Sequence, residues 1–599
     1  MQQAVFKFLS NADYFQGFAY GVCAPALLVH IEVNKFFFEL NEIDSWMREN
    51  FLTDCENLLF KSEIISELDD SESDSKKLIK IFFFWYAKIH VLMKMPICEN
   101  LYIREITVDD ERVVYAVVFN FFHMEAASII THTLCDIFNM LLTCKEKSAH
   151  YNREYIDQFF VKLQRFSLPG TNTRRLVQAA LSLQYPYRIF PDNSLLIGYG
   201  SCAKRFLSTT TDETSNIGVR NVGNKQLTSS ILQMYGLPTA YQVSVNSLES
   251  TLKHAKIIGY PVVLKPVDQD QGRGVSNNIK DEDELIKIYN QTSRNYRYLV
   301  LEKHIFGDDY RLTVVNKRVV KIFQRVAGGV EGDGQHTIKE LVDLMHETVE
   351  NQCKYRKKGK HALLLDEEAL SLLQKQNLRI NSIPKKDEPV HLRAQNNIST
   401  GGREILISNE DVHQDNIKLA IEVAELFSLD IAGIDFISEN ISQSWLKNGA
   451  VICEVNAMPQ IGGAKADEIY EEILRDKIGQ CVSIPIYLIA VPAEKIRDNS
   501  VFLDVIQKKG YRNYSIGNYV IANGAIFTDK AVDGFDAAKI LLMNKHVDEA
   551  YCFVAIELLK QKGLPAKRFQ EIKIMVSHED LDLEAMVRNH TDKIIYESL

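Results

Sequence analysis

Two oily segments near residue 450 constrain this 599-residue chain more than any other feature. Ile431-Ala-Gly-Ile-Asp435-Phe-Ile437 carries a single carboxylate, and Gly449-Ala-Val-Ile-Cys-Glu454-Val-Asn456 carries a carboxylate and an amide. Side chains alternate along a strand, so Glu454 and Asn456 share a face, about 7 Å apart. The stretch 439–448 between the segments is polar and reads as a connection. The strands can then pair antiparallel, with Asp435 facing the same space. Oxygen ligands on oily strands are costly without a partner. Mg²⁺ held jointly by protein carboxylates and substrate phosphates supplies one. The competing reading is a sheet edge from which these side chains point outward.

Upstream segments suit a polyphosphate. Tyr260-Pro-Val-Val-Leu-Lys265-Pro is a short strand that delivers a lysine, followed by a loop containing Gly272, Arg273 and Gly274. Small residues let backbone N–H groups approach phosphate oxygens, and Lys265 adds positive charge. Tyr298-Leu-Val-Leu-Glu302-Lys303-His-Ile305 runs from a strand into a turn ahead of Asp309. Such a step offers backbone groups to an adenine edge and a carboxylate to ribose hydroxyls. Arg311 re-enters a strand, where a buried guanidinium requires an anion, either a phosphate or a protein carboxylate. Arg325 stands at another strand end before a Gly-rich turn, Gly332-Asp-Gly334. Asn397-Ile-Ser-Thr-Gly-Gly402 is a polar glycine loop; it and the Gly332 turn also read as ordinary turns.

The length suggests about three to five domains. Lys+Arg 69 against Asp+Glu 79 gives a net charge of −10, which argues against a nucleic-acid-binding surface over the whole molecule. The ten cysteines form no CxxC pair, so neither a zinc site nor a disulfide framework is indicated. Several sit in apolar runs and read as buried thiols of a reducing compartment. The apolar run from Ile81 to Ala87 is too short to span a bilayer, and no signal peptide is read. A soluble cytoplasmic protein, without membrane or nucleic-acid partners, is expected.

Residues 1–165 show no chemistry and read as an accessory domain, with a packed helix over 125–142 and an acidic, Ser-rich loop over 66–75. Residues 166–224 link it to the next region. Lys225 opens a helix that closes at Tyr235-Gly236-Leu-Pro238. Strands and helices then alternate to about 480, and 484–599 is a last α/β-like region. The expected class is a multidomain α/β (α+β) protein.

In this order the motifs resemble an ATP-grasp ligase of the cyanophycin synthetase branch. The bifunctional glutamate–cysteine ligase/glutathione synthetase branch is similar across the same loops. The resemblance runs from about Asn193 to Gly462 and rests on Leu196-Ile-Gly-Tyr-Gly-Ser201, Thr211-Asp-Glu-Thr-Ser215, Leu264-Lys-Pro266, Gly272-Arg-Gly-Val275, Asp309-Tyr-Arg311, Gly332-Asp-Gly334, Ile398-Ser-Thr-Gly-Gly402, Ala432-Gly-Ile-Asp435 and Glu454-Val-Asn456. It implies an ATP-grasp fold over 225–480. It implies that Lys225 and Lys265 contact adenine and the α/β-phosphates, and that Glu302, with the backbone around Lys303 and Ile305, binds adenine. Asp309 would take the ribose, and Gly272, Arg273 and Gly274 would form a phosphate lid. Asp435, Glu454 and Asn456 would hold two Mg²⁺, while Arg311 and Arg325 neutralise the transferred phosphoryl group. It also implies a homo-oligomer.

Three departures stand out. Leu406 occupies a position where the resemblance calls for aspartate, and Pro459-Gln460 replaces Pro-Gly. Both lie toward the acceptor end. After Ile484-Pro-Ile-Tyr-Leu-Ile-Ala-Val491, which resembles the start of a Mur-ligase-like domain, Pro492-Ala-Glu-Lys-Ile-Arg497 has no glycine and no Lys-Thr pair to wrap a phosphate. Region 484–599 therefore reads as a shortened, inactive relic, or else an unrelated small α/β cap.

The activity expected is ATP-dependent joining of a carboxylate to an amine through an acyl phosphate, with amino acids, amines or peptides as substrates. The alternatives are a non-catalytic ATP-binding scaffold and a phosphotransferase of the same fold. His304, His336 and His361 are not marked out as phosphorylatable.

Overall fold

The computed structural model describes residues 5–9, 12–34, 40–52, 68–143, 153–266, 276–296, 298–347, 363–393, 396, 402–462, 466–479, 482–497, 506–576 and 580–597. The chain forms two compact units, one of Met1–Leu207 with Tyr470–Leu599 and one of Ser208–Ile469. Several sheets, antiparallel apart from one mixed sheet, and flanking helices make it a multidomain α/β protein.

The Ser208–Ile469 unit contains two antiparallel sheets. A four-stranded sheet has the order Gln242–Val245, Leu299–Lys303, Val262–Pro266, Ser276–Ile279. Helices Leu248–Ile258 and Glu282–Thr292 start at Ser247 and Asp281, whose side chains accept backbone N–H groups of the first turn. They bury Ala255, Leu285 and Tyr289 against Val262, Leu264 and Leu301. A five-stranded sheet has the order Arg403–Ile407, Arg318–Val326, Asp308–Val315, Ile431–Ser438, Val451–Asn456. Its two faces follow from strand periodicity. Leu312, Val314, Ala432, Ile434 and Phe436 join the core with Leu419 and Val423 of helix Gln414–Leu426. The intervening Asp309, Arg311 and Asp435 are left for the opposite face. A smaller module pairs Gly329–Glu331 with Pro389–His391 around Ile338, Val342 and Leu373. Its Gly332 is forced, because a Cβ there would overlap the Lys385 carbonyl oxygen. Asp333 accepts from the backbone N–H groups of Gln335 and His336, so this glycine turn is a self-contained structural turn.

In the other unit, Ala26–Asn34 and Arg112–Asn120 form the middle of an antiparallel sheet. Helices Asp74–Leu92 and Met124–Thr143 pack on it. The acidic loop ends sooner than its sequence suggests. Ser73 caps the first helix by accepting from Lys76 N, and Ser75 lies inside that helix, 2.9 Å from the Tyr115 hydroxyl. Met124–Thr143 is long and apolar enough to cross a membrane by length and composition, yet its Ala126, Ile130, Leu134 and Phe138 are fully buried in this core.

A seven-stranded sheet follows in the same unit, with Ile486–Val491 parallel to both Ala550–Ala555 and Glu571–Met575. The helix Ala493–Arg497 comes directly after Val491. Its Ala493 N–H donates to the Glu557 carboxylate at 3.0 Å. The expectation of no cystine needs correction. Cys202 is disulfide-bonded, while Cys23, Cys98, Cys135, Cys453 and Cys552 are free thiols.

Buried Asp44 accepts from Trp85 Nε1 at 3.0 Å and from Arg48 Nε at 2.7 Å. Asp44→Ala strips the acceptor from a fully buried indole, which costs about 1–3 kcal/mol. The expected result is a lower urea midpoint, followed by tryptophan fluorescence, with Glu49→Ala as an exposed control that stays near wild type.

Candidate active site

Antiparallel register draws the charged residues of the five-stranded sheet into one row. Arg311 lies opposite Asp435, and Asp435 lies opposite Glu454. Arg311 donates to Asp435 through Nε and through Nη2, the latter at 3.0 Å. From the next strand, Arg325 reaches the same carboxylate with Nη2 at 3.0 Å and Nη1 at 3.2 Å. Its Nη1 also lies 3.4 Å from each oxygen of Asp309, its register partner. Asp435 is 5% exposed, so a nearly buried anion sits between two guanidiniums. Burial works against the charge of Arg325, but Asp435 and Asp309 outweigh it and hold its pKa above the ordinary value. Burial pushes Asp309 up to about 6; Arg325 opposes that rise and Asp435 adds to it.

Gly433 explains the glycine of the Ala-Gly-Ile-Asp run. A Cβ there would overlap Arg311 Nη1 and come within 3.0 Å of Pro459 Cβ. Hydrogen removes that obstacle and lets the guanidinium lie across the strand on its way to Asp435.

The register shifts between Asp435 and Phe436, so that Asp435 pairs with Glu454 while Phe436 pairs with Ile452. Cys453 is the extra residue of this bulge. The residue keeps some solvent-accessible surface, yet loss of hydration on burial of its thiol is the main push well above the ordinary value; Glu302, Asp309 and Asp435 add to the rise and Lys265 opposes it. Lys225 opens helix Lys225–Met234 and carries its Nζ to 3.9 Å from Glu454. Asn456 lies opposite Gly433, and its Nδ2 is buried with no partner among the described residues.

On the four-stranded sheet, Lys265 Nζ and Glu302 Oε2 are 2.5 Å apart across paired strands. The Glu302 side chain is therefore paired with a cation, on a strand that has neighbours on both sides. Lys303 N donates to Tyr241 O at 3.0 Å, and its Nζ donates to the carbonyls of Gly259 and Tyr260 at 2.9 and 3.1 Å. Lys303 thus holds the strand end in place. The N–H of Ile305 has no acceptor among the described residues. Gly272, Arg273 and Gly274 lie outside the described residues, as does most of the 397–402 loop.

Two features escape sequence reasoning. Arg311 and Arg325, expected to meet a phosphoryl group, here clamp the very aspartate expected to hold metal. A guanidinium on a strand signals only that an anion is near, so sequence cannot choose between the two partners. Lys321 is the second. It is 3% exposed, shares the Arg325 face, and donates to Glu404 at 3.2 Å and to the Gly462 carbonyl. Glu404 stands two residues before Leu406 on the strand Arg403–Ile407, so a carboxylate occupies the same face as the apparently missing aspartate.

Among the described residues no cluster of three or more His, Cys, Asp or Glu could hold a metal by itself. Asp435 and Glu454, register neighbours on one face, offer carboxylate oxygens that fit a hard cation whose remaining ligands come from a substrate, whereas the unmet Asn456 Nδ2 beside them is a donor and suits an acceptor oxygen.

No protein-family model matches the chain. Over 345 residues it is 32% identical to a cyanophycin synthetase of Synechocystis sp., covering 56% of this chain and 38% of that protein. Over 303 residues it is 29% identical to a glutathione biosynthesis bifunctional protein of Pasteurella multocida, covering 49% and 40%. The crystal structure of a bifunctional glutathione synthetase from Pasteurella multocida superposes with a TM-score of 0.41 at 21% identity, covering 59% of this chain and 52% of the other. The chain is thus similar to cyanophycin synthetases over about half its own length, and spans roughly two-fifths of theirs.

Two outcomes follow from the charge network. A carboxyl whose folded pKa is raised costs stability above that pKa, and the cost fades as pH falls through it. Relative to Asp309→Asn, the wild type should gain stability between pH 7 and pH 4, by up to about 3 kcal/mol. Urea unfolding of both proteins across that range checks the sign. Gly433→Ala should push Arg311 off Asp435 and cost about 1–3 kcal/mol, read as a lower melting temperature that Gly462→Ala, where a Cβ meets nothing within 4 Å, does not reproduce.

Proposed function

We propose that the Ser208–Ile469 unit is an ATP-grasp ligase that joins a carboxylate to an amine through an acyl phosphate. In this reading it adds one amino acid or amine to an amino acid or peptide. The observation that carries it is the charged row Arg325–Arg311–Asp435–Glu454, with the Lys265–Glu302 pair acting on the same thiol, Cys453. Similarity to the cyanophycin synthetases supports the same chemistry.

Asp435, Glu454 and Asn456 are the residues that would hold Mg²⁺, two ions in our reading, whose charge would offset that of the phosphates. Lys225 and Lys265 would face the nucleotide phosphates from two elements. The Glu302 backbone and the Ile305 N–H would meet the adenine edge, and Asp309 would take the ribose. Gly272, Arg273 and Gly274 would close over the phosphates and exclude water from the acyl phosphate. Arg311 and Arg325 would turn from Asp435 toward the phosphoryl group as it transfers, so catalysis would rest on positioning and electrostatics, with no covalent protein intermediate.

The lack of a glycine and of a Lys-Thr pair after Val491 supports a relic without a second nucleotide site over 484–599, and hence one addition in place of two alternating ones. Residues 1–165 would serve as an accessory domain joined through 166–224 to the ligase region 225–480. We read the protein as a cytoplasmic homo-oligomer that engages neither membrane nor nucleic acid. The double clamp on Asp435 supports one other reading, a nucleotide-binding module that no longer turns over.

The test is ADP release from the full chain with pairs of amino acids and short peptides, with mass spectrometry of the product. One pair should release ADP and yield a single amide. Glu454→Gln should lower that rate by at least about 100-fold and leave the melting temperature unchanged. ATP binding without ADP from any pair would favour the silent module, and steady growth of a two-component polymer would overturn the single addition.

A further inference from the structure

The Met1–Leu207/Tyr470–Leu599 unit contains two adjoining cavities, of about 610 and 280 Å³, which share Gln184, Tyr185, Pro186, Tyr199 and Lys567. Their size suits a small organic molecule. Among the described residues, no aspartate or glutamate lines either one. Three cations line the smaller cavity, Arg188, Lys539 and Lys567, and none has a carboxylate within ion-pair distance among the described residues. Lys567 Nζ donates only to neutral oxygens of Gln184, at 3.0 and 3.2 Å. Arg188 donates to the Met543 thioether, and Lys539 sits 5.1 Å from the centre of the Phe535 ring. Neighbouring cations are treated differently. Arg568 is paired with Asp592, and Lys562 with Asp533 and Asp536.

Clustered cations without counter-charges repel one another and lose hydration, a cost that a bound anion removes. The cost is visible here, since burial holds both Lys567 and Lys539 below the ordinary lysine value, and Arg188 lowers Lys539 further against the opposing pull of Asp536, which lies beyond ion-pair distance. Lys567 is also built into place. His590 donates from Nδ1 to the Lys567 carbonyl at 2.7 Å and accepts from Gly21 N–H at Nε2, 2.9 Å. Burial lowers His590 to about 4, so the ring is the neutral tautomer these two bonds require. The rest of the smaller cavity is apolar and ring-rich, with Phe18, Phe121, Phe122 and Tyr187 on its wall.

We propose that this cavity binds a small organic anion, with its carboxylate or phosphate among Arg188, Lys539 and Lys567 and a flat apolar body against the phenylalanine and tyrosine rings. The site lies wholly within the unit that lacks the ligase residues, and it does not depend on the ligase reading.

Calorimetric titration of the full chain tests it with three probes of one shape: phenyl phosphate, phenylacetate and benzyl alcohol. Saturable binding of either anion, with benzyl alcohol at least about tenfold weaker, is expected. The tighter anion then identifies the headgroup. Lys567→Met should weaken the anion about tenfold. If that variant does not fold, Arg188→Gln carries the same expectation. Excess Mg-ATP should leave the affinity unchanged. The proposal is overturned if neither anion binds, if benzyl alcohol binds equally well, if the folded variants bind like wild type, or if Mg-ATP displaces the probe. None of these outcomes bears on whether ADP is released.

Discussion

One carboxylate organises the Ser208–Ile469 unit. Asp435 is almost fully buried on the polar face of an antiparallel sheet and is tolerable there only because Arg311 and Arg325 surround it. A buried pair stabilises little once its desolvation is counted, but removing one partner strands a charge. The sheet is therefore committed to the whole set. Gly433 must stay small to let Arg311 pass, and Arg325 must reach Asp435 while touching Asp309. Its members lie on three neighbouring strands, so the row fixes register as well as charge.

In the same cluster, groups proposed to meet cation and phosphate also bond to one another. Asn456 is the exception, a buried amide with an unmet donor, and marks where something besides protein completes the set.

Much of this was legible in the sequence because it follows short-range rules. Period-2 alternation put Glu454 and Asn456 on one face, and the polar 439–448 connection set the antiparallel pairing that is found. The helix opening at Lys225 and closing before Gly236 came from stop signals, and Asn224 supplies its cap. Pairing across the fold was not legible. No pattern told Arg311 to choose Asp435 over a phosphate, and none marked Lys321 for burial beside Glu404 and the Gly462 carbonyl. Glu404 eluded a reading tied to position 406, because a face offers its residues at every second position. The bulge at Cys453 is invisible in sequence, since it arises from two strands of unequal residue count. The Cys202 cystine was missed for a similar reason, since spacing reports only on cysteines close in sequence.

The discontinuous unit carries a consequence for assembly. Phe18 and Leu564 exchange backbone hydrogen bonds in both directions, and the Phe18 amide has no other acceptor. During synthesis that early segment waits while more than five hundred residues emerge, whereas Ser208–Ile469 can close on its own contacts meanwhile. The segment around Phe18 thus pairs only after Leu564 has emerged, which places this contact late in folding.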